Sequence, residues 1–164
     1  MRTTYVLSGI LKPRLQEDAA ACIALTASDL YPEDSWNFVF GQASLYERVG
    51  VFSLARYGDP DLGKAEFNLC LLRTIKVATH ETGHMFSMSH CILYECNMNG
   101  SNNLQESDAK PLALCPECQA KLCWATGADP VAQFKKLAAF CKAQGLTAEQ
   151  AFYEKSLQAL EECR

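Results

Sequence analysis

All three histidines of the chain, His80, His84 and His90, fall within the eleven-residue run H-E-T-G-H-M-F-S-M-S-H. On an α-helix, positions i and i+4 stand one turn apart on the same face, so the imidazoles of His80 and His84 can point at one ion. Zinc takes imidazole nitrogen at about 2.0–2.1 Å in a tetrahedral set. If the helix ends soon after Phe86 and the chain turns back, His90 supplies a third nitrogen and a fourth position stays open to water. An open position separates a catalytic zinc from a structural one. Glu81 projects from the adjacent side of the same turn, within reach of that water but outside the ligand set. The pattern predicts peptide-bond hydrolysis, with Glu81 as general base taking the proton of the activated water and passing it to the departing amine.

Sulfur follows directly. Cys91-x4-Cys96 begins at the residue after His90, and Cys115-Pro-Glu-Cys118 comes later. A C-x-x-C presents two thiolates from one tight turn, and a second pair completes an all-sulfur tetrahedron closed to water, hence structural. Buried thiols or a redox pair would give the same letters. The metal reading is preferred because its first ligand touches the histidine motif, where a cross-link would fix the direction of His90. Cys22, Cys70, Cys123, Cys141 and Cys163 fall outside the pattern and read as plain thiols. Nine cysteines is an odd number, and MRTTYVLSGILKPRL shows no export signal. The reading is therefore thiolate–metal chemistry in an intracellular, cytoplasmic setting rather than a disulfide framework.

The elements that must position these groups come from a chain of 164 residues, 49% hydrophobic and 21% charged, which predicts one α/β (α+β) domain over 1–164. A net charge of -4 argues against nucleic acid as a partner, and no apolar run approaches a membrane span. Behind a short segment 1–17, Glu17–Pro32 reads as a helix end feeding a buried strand at Cys22–Thr26. Ser35–Phe40 and Gly50–Tyr57 read as strands, the second near an edge because Ser53 and Arg56 need water or a ligand. Ala65 to about Phe86 reads as a long helix carrying the first two histidines, with Arg73 and Lys76 turned away from its apolar face. Ser87–Leu114 is irregular, with Pro111 cutting any helix that starts near Asn103. Two helices close the chain within 126–164: one is capped by Asp129-Pro130 and stopped at Gly145, the other is opened by a Thr147/Gln150 capping box. Trp36, Phe38, Phe40, Phe134 and Leu137 read as packing residues.

Taken together, H-E-T-G-H-M-F-S-M-S-H-C-I-L-Y-E-C-N-M and the later C-P-E-C resemble the archaemetzincins, a family of metzincin-like zinc metallopeptidases, and the eukaryotic members most. The resemblance extends to Asp29–Leu45, Val51–Tyr57 and Gly100–Leu122, and covers roughly residues 18 to 125. It implies a zincin-like domain with two zincs: a catalytic one on His80, His84 and His90 beside Glu81, and a structural one on Cys91, Cys96, Cys115 and Cys118. It further implies Met98 as the Met-turn residue beneath the metal, and Val51–Tyr57 as the edge strand that pairs with an extended peptide or protein substrate. Aminopeptidase action is one form this hydrolase activity can take. The chain departs from the family pattern at Ser87, where the family has glycine; a serine forced to positive φ costs about 1–2 kcal/mol. That departure and the short N-terminal segment keep a second reading open, a catalytically weak zinc-stabilised module that binds peptides or proteins.

Overall fold

In the computed structural model of the chain, the described residues are 1–44 and 46–162; Leu45, Cys163 and Arg164 lie outside them. Three strands, β1 (Cys22–Thr26), β2 (Gly41–Ser44) and β3 (Val49–Ser53), form a sheet of order β1-β3-β2. β1 runs parallel to β3 and β2 antiparallel to it. The arrangement is mixed α/β, as expected, but β3 is the central strand and not an edge. It ends at Ser53, which is buried, while Arg56 lies beyond the strand and is exposed. Ser53 Oγ donates to the Ser28 carbonyl at 2.8 Å, and Arg56 makes two bonds to Asp29 at 2.8 and 3.0 Å. The free edges belong to β1 and β2. In β1, Cys22 and Ala24 turn inward while Ile23 and Leu25 face solvent, so this strand is half-buried rather than buried.

Glu17–Ala21 is not helical. Its alanines offer little side chain to anchor against the sheet, and that anchoring falls to an earlier wide helical segment, Tyr5–Leu11. From it Val6, Leu7 and Leu11 pack onto Leu30, Val49 and Val51. Ser35–Phe40 is likewise not a strand; only Val39 pairs, in a lone bridge with Leu30. Its aromatic alternation serves stacking. Phe38 and Phe40 meet edge to face at 5.3 Å, Phe40 stacks on Tyr57 at 6.0 Å, and the Arg56 guanidinium lies 3.8 Å above Phe38.

The long helix α1 spans Lys64–Met85. Arg73 and Lys76 do not turn to solvent. Arg73 pairs with both Asp108 oxygens at 2.9 and 2.6 Å, and Lys76 donates to the Asp108 carbonyl at 2.8 Å. They tie α1 to α2 (Leu104–Ala109), which Asn103 caps and which stops before Pro111. α3 (Pro116–Thr126) starts inside the C-P-E-C run and was not expected as a helix. α4 (Pro130–Gln144) has the expected Asp129 cap and left-handed Gly145. α5 (Thr147–Glu162) follows, without the capping box: the Gln150 amide bonds to the Leu146 carbonyl and its side chain reaches forward to Glu154. Phe134, Ala138, Cys141, Leu146 and Tyr153 close a core between α4 and α5 against Leu72 and Ile75 of α1. No helix among the described residues is long and apolar enough to cross a membrane.

Candidate active site

The last turns of α1 carry His80, Glu81 and His84. The helix then closes in a Schellman turn: Met88 N–H bonds to the Gly83 carbonyl at 3.1 Å and Ser87 N–H to the His84 carbonyl at 2.8 Å. Ser87 occupies the left-handed position at φ 63°, so the conformation a glycine would favour is reached by a serine. This reversal brings His90 back over the helix end, where its ring centroid lies 5.2 Å from that of His80 and 4.9 Å from that of His84. Gly100 backs the His90 ring so closely that a Cβ there would stand 3.3 Å from Nδ1.

Two of the rings are oriented by backbone. His80 Nδ1 lies 2.7 Å from the Asn97 carbonyl and His84 Nδ1 2.7 Å from the Met88 carbonyl. A carbonyl only accepts, so in the neutral form each ring carries its single proton on Nδ1 and presents a bare lone pair at Nε2. Those two Nε2 atoms are 3.1 Å apart. Facing lone pairs repel unless a cation sits between them, and two nitrogens on one tetrahedral zinc stand about 3.4 Å apart. One ligand nitrogen from each of His80, His84 and His90 falls within 4.8 Å of the others. Burial pushes His80 down to about 4 and also lowers His90, so both are neutral at physiological pH and able to ligate.

Asn97 was missed by sequence reasoning. It is fully buried, its carbonyl orients His80, and its amide donates at 3.1 Å to the carbonyl of Lys76, one turn before His80, and at 2.6 Å to Oγ1 of Thr79, the residue next to His80. Its place between Cys96 and Met98 was the available signal. Met98 is equally buried and lies against Gly83, where a Cβ would come within 2.4 Å of the sulfur. It therefore sits beneath the helix turn that joins His80 to His84.

The four patterned cysteines also converge, with their sulfurs within 4.8 Å of one another and Cys91 Sγ 3.8 Å from Cys115 Sγ. Two thiolates on one tetrahedral zinc stand about 3.8 Å apart. The amides of Met98 and Cys115 donate to Cys96 Sγ at 3.4 and 3.2 Å, the pattern expected around a thiolate. Backbone hydrogen bonds at Leu93 and Tyr94 bring the Cys91 thiol down to about 7, while burial raises Cys96 and Cys118. With Met88 and Met98 these cysteines form the small core of the irregular segment. The eight described cysteines are all free of disulfides.

A cleft of about 700 Å³ opens beside the histidines. Glu81 lines it, its carboxyl raised by burial against the pull of His84 and Lys110. Trp36, Phe38 and Phe40 line it too, so these aromatics face the cleft instead of serving only as packing residues. Ser107 and Lys110, neither singled out by the sequence, complete it.

Residues 13–123 match peptidase family M54. The chain belongs to that family. It is similar to archaemetzincin-2 of Macaca fascicularis, 44% identical over 153 residues, covering 77% of this chain and 42% of the relative. It is also similar to the archaemetzincin of Thermococcus kodakarensis, 39% identical over 126 residues, with 71% and 65% covered. The crystal structure of the archaemetzincin from Methanopyrus kandleri superposes with a TM-score of 0.63 at 34% identity, covering 77% of this chain and 66% of that one. The chain thus spans less than half the length of the macaque archaemetzincin. The matched M54 region ends within α3, so α4 and α5 lie outside it.

Proposed function

We propose that the chain is a zinc metallopeptidase of the archaemetzincin type, hydrolysing peptide bonds in peptide or protein substrates. The observation that carries this reading is the pair of Nε2 lone pairs held 3.1 Å apart, each ring's proton committed to a carbonyl. Such a pair suits a cation, and His90 adds the third nitrogen. His80, His84 and His90 would hold the catalytic zinc; Cys91, Cys96, Cys115 and Cys118 would hold a second one that fixes the loop. Zinc at the histidines supplies a Lewis acid that polarises the scissile carbonyl and acidifies water.

The remaining chemistry belongs to the chain. Glu81 lines the cleft among the ligands without joining them, and burial raises its carboxyl, a setting that favours taking and returning a proton. It removes the proton from the attacking water and delivers it to the departing amine. β2, the antiparallel edge strand whose Gly41 lines the cleft, is the backbone available to an extended substrate, in place of Val51–Tyr57. Met98 supports the ligand helix from below. The Schellman turn through Ser87 favours the active reading over an inert module, because the reversal that presents His90 is formed without glycine.

The test is zinc content together with peptide hydrolysis, with and without chelator, in the wild type and Glu81→Ala. The reading expects two zincs in both proteins and chelator-sensitive turnover in the wild type alone, with about 10²–10⁴-fold loss in the variant. A wild type holding two zincs yet no faster than Glu81→Ala refutes it. Amino-terminal trimming and internal cutting are separated by acetylating the substrate's N-terminus, which blocks only the former.

A further inference from the structure

Lys110 ends α2, stands before Pro111 and lines the same cleft as His80, Glu81 and His90. Its side chain is half-buried. Lys110 and Glu81 are the only lysine, arginine, aspartate or glutamate among the described lining residues. An ammonium has three N–H donors. One goes to the Asn99 carbonyl at 2.9 Å; among the described residues the other two have no protein acceptor and Nζ has no ion-pair partner. The carboxylate nearest in sequence, Asp108, is committed by both oxygens to Arg73, while its carbonyl takes the Lys76 ammonium. Burial lowers the Lys110 ammonium, and the charge of Glu81 opposes that shift without lying in contact. A half-buried ammonium at the wall of a cleft, with two N–H donors uncommitted to protein, is a ready binding group for an anionic acceptor.

We propose that Lys110 is a specificity-determining residue that binds a carboxylate of the substrate, so that the enzyme prefers peptides presenting an anionic group beside the scissile bond. This rests on the metallopeptidase reading of the same cleft. Ser107 lines the same cleft and adds a neutral hydrogen-bonding group to its wall. The carboxylate can be an Asp or Glu side chain or the peptide's own C-terminus; the recognised chemistry is the same, and the experiment separates the two.

Binding is measured by calorimetry on zinc-loaded Glu81→Gln protein, which isolates recognition from turnover. Two pairs of short peptides are compared, one exchanging Asp for Asn beside the scissile position, the other exchanging a free C-terminus for an amide. The expected result is a preference of about tenfold for the carboxylate in at least one pair, the scale of a charge-assisted hydrogen bond. The added substitution Lys110→Gln, which keeps a donor for Asn99, should abolish that preference, and Lys110→Arg should largely retain it. The pair that shows the preference identifies the source. Equal weakening of charged and neutral peptides by Lys110→Gln overturns the proposal, because the lysine then acts on the scissile carbonyl or on the fold. No preference in either pair overturns it as well. Wild-type hydrolysis without a Lys110-dependent preference defeats this inference alone; a Lys110-dependent preference in a wild type that hydrolyses nothing defeats the peptidase reading alone.

Discussion

At the scale of single residues, the site depends on where protons and carbonyls sit. His80 and His84 were legible because i, i+4 spacing on a helix admits one arrangement, but their orientation comes from the carbonyls of Asn97 and Met88, which no spacing rule names. Glu81 was legible by adjacency. Lys110 was not, because its importance arises only when α2 folds against α1 and Asp108 is taken by Arg73. Ser87 shows how a departure from a family pattern can be absorbed: the serine takes φ 63° and the turn's hydrogen bonds still form. The strain remains. Ser87→Gly should therefore raise unfolding free energy by about 1 kcal/mol in chemical denaturation, with zinc content unchanged. A destabilised variant would show that the serine side chain contributes more than its backbone costs.

At the scale of elements, α1 followed from its motif, and β1 and most of β3 from their β-branched and aromatic runs, whereas β2 and the order of the sheet did not. The alternation of Trp36, Phe38 and Phe40 imitates a strand because aromatic stacking along a cleft wall also repeats every second residue. The true strand, Gly41–Ser44, has weak β-formers and exists because β3 pairs with it; a Cβ at Gly41 would lie 2.3 Å from the Phe52 ring. α3 was hidden because Pro116 reads as part of a knuckle when it is in fact the first residue of a helix. The contact of α1 with Met98 carries its own prediction. Gly83→Ala forces a Cβ against the Met98 sulfur, also 2.9 Å from the Met88 terminal carbon, and should cost about 1–3 kcal/mol. In a double-mutant cycle, Met98→Ala combined with Gly83→Ala should cost less than the sum of the two changes. Strict additivity would mean that the turn does not bear on Met98.

At the scale of the whole molecule, three packed clusters divide the work: the Tyr5–Leu11 segment against the sheet, α4 and α5 against α1, and the sulfur cluster that holds Ser87–Leu122. Tyr57 and Tyr153 lie buried at two different places, and burial raises both phenols well above the usual 10. The folded state holds their protons where the unfolded state would release them. Their contribution is therefore fully present below pH 10 and is lost as pH climbs from 10 towards the folded values. In a titration followed at 295 nm, Tyr57 and Tyr153 should ionise only as the fold is lost; their ionising near pH 10 in a protein that stays folded would contradict the packing.

Whether three imidazoles share one metal, with a corner left open beside Glu81, is decided by anomalous diffraction at the zinc edge on crystals of the zinc-loaded protein. Two peaks are predicted per chain, one amid the four sulfurs and one about 2.1 Å from a nitrogen of each of His80, His84 and His90, with no fourth protein ligand. A single peak at the cysteines, or a histidine-bound metal whose fourth position is filled by a protein atom, would contradict that arrangement.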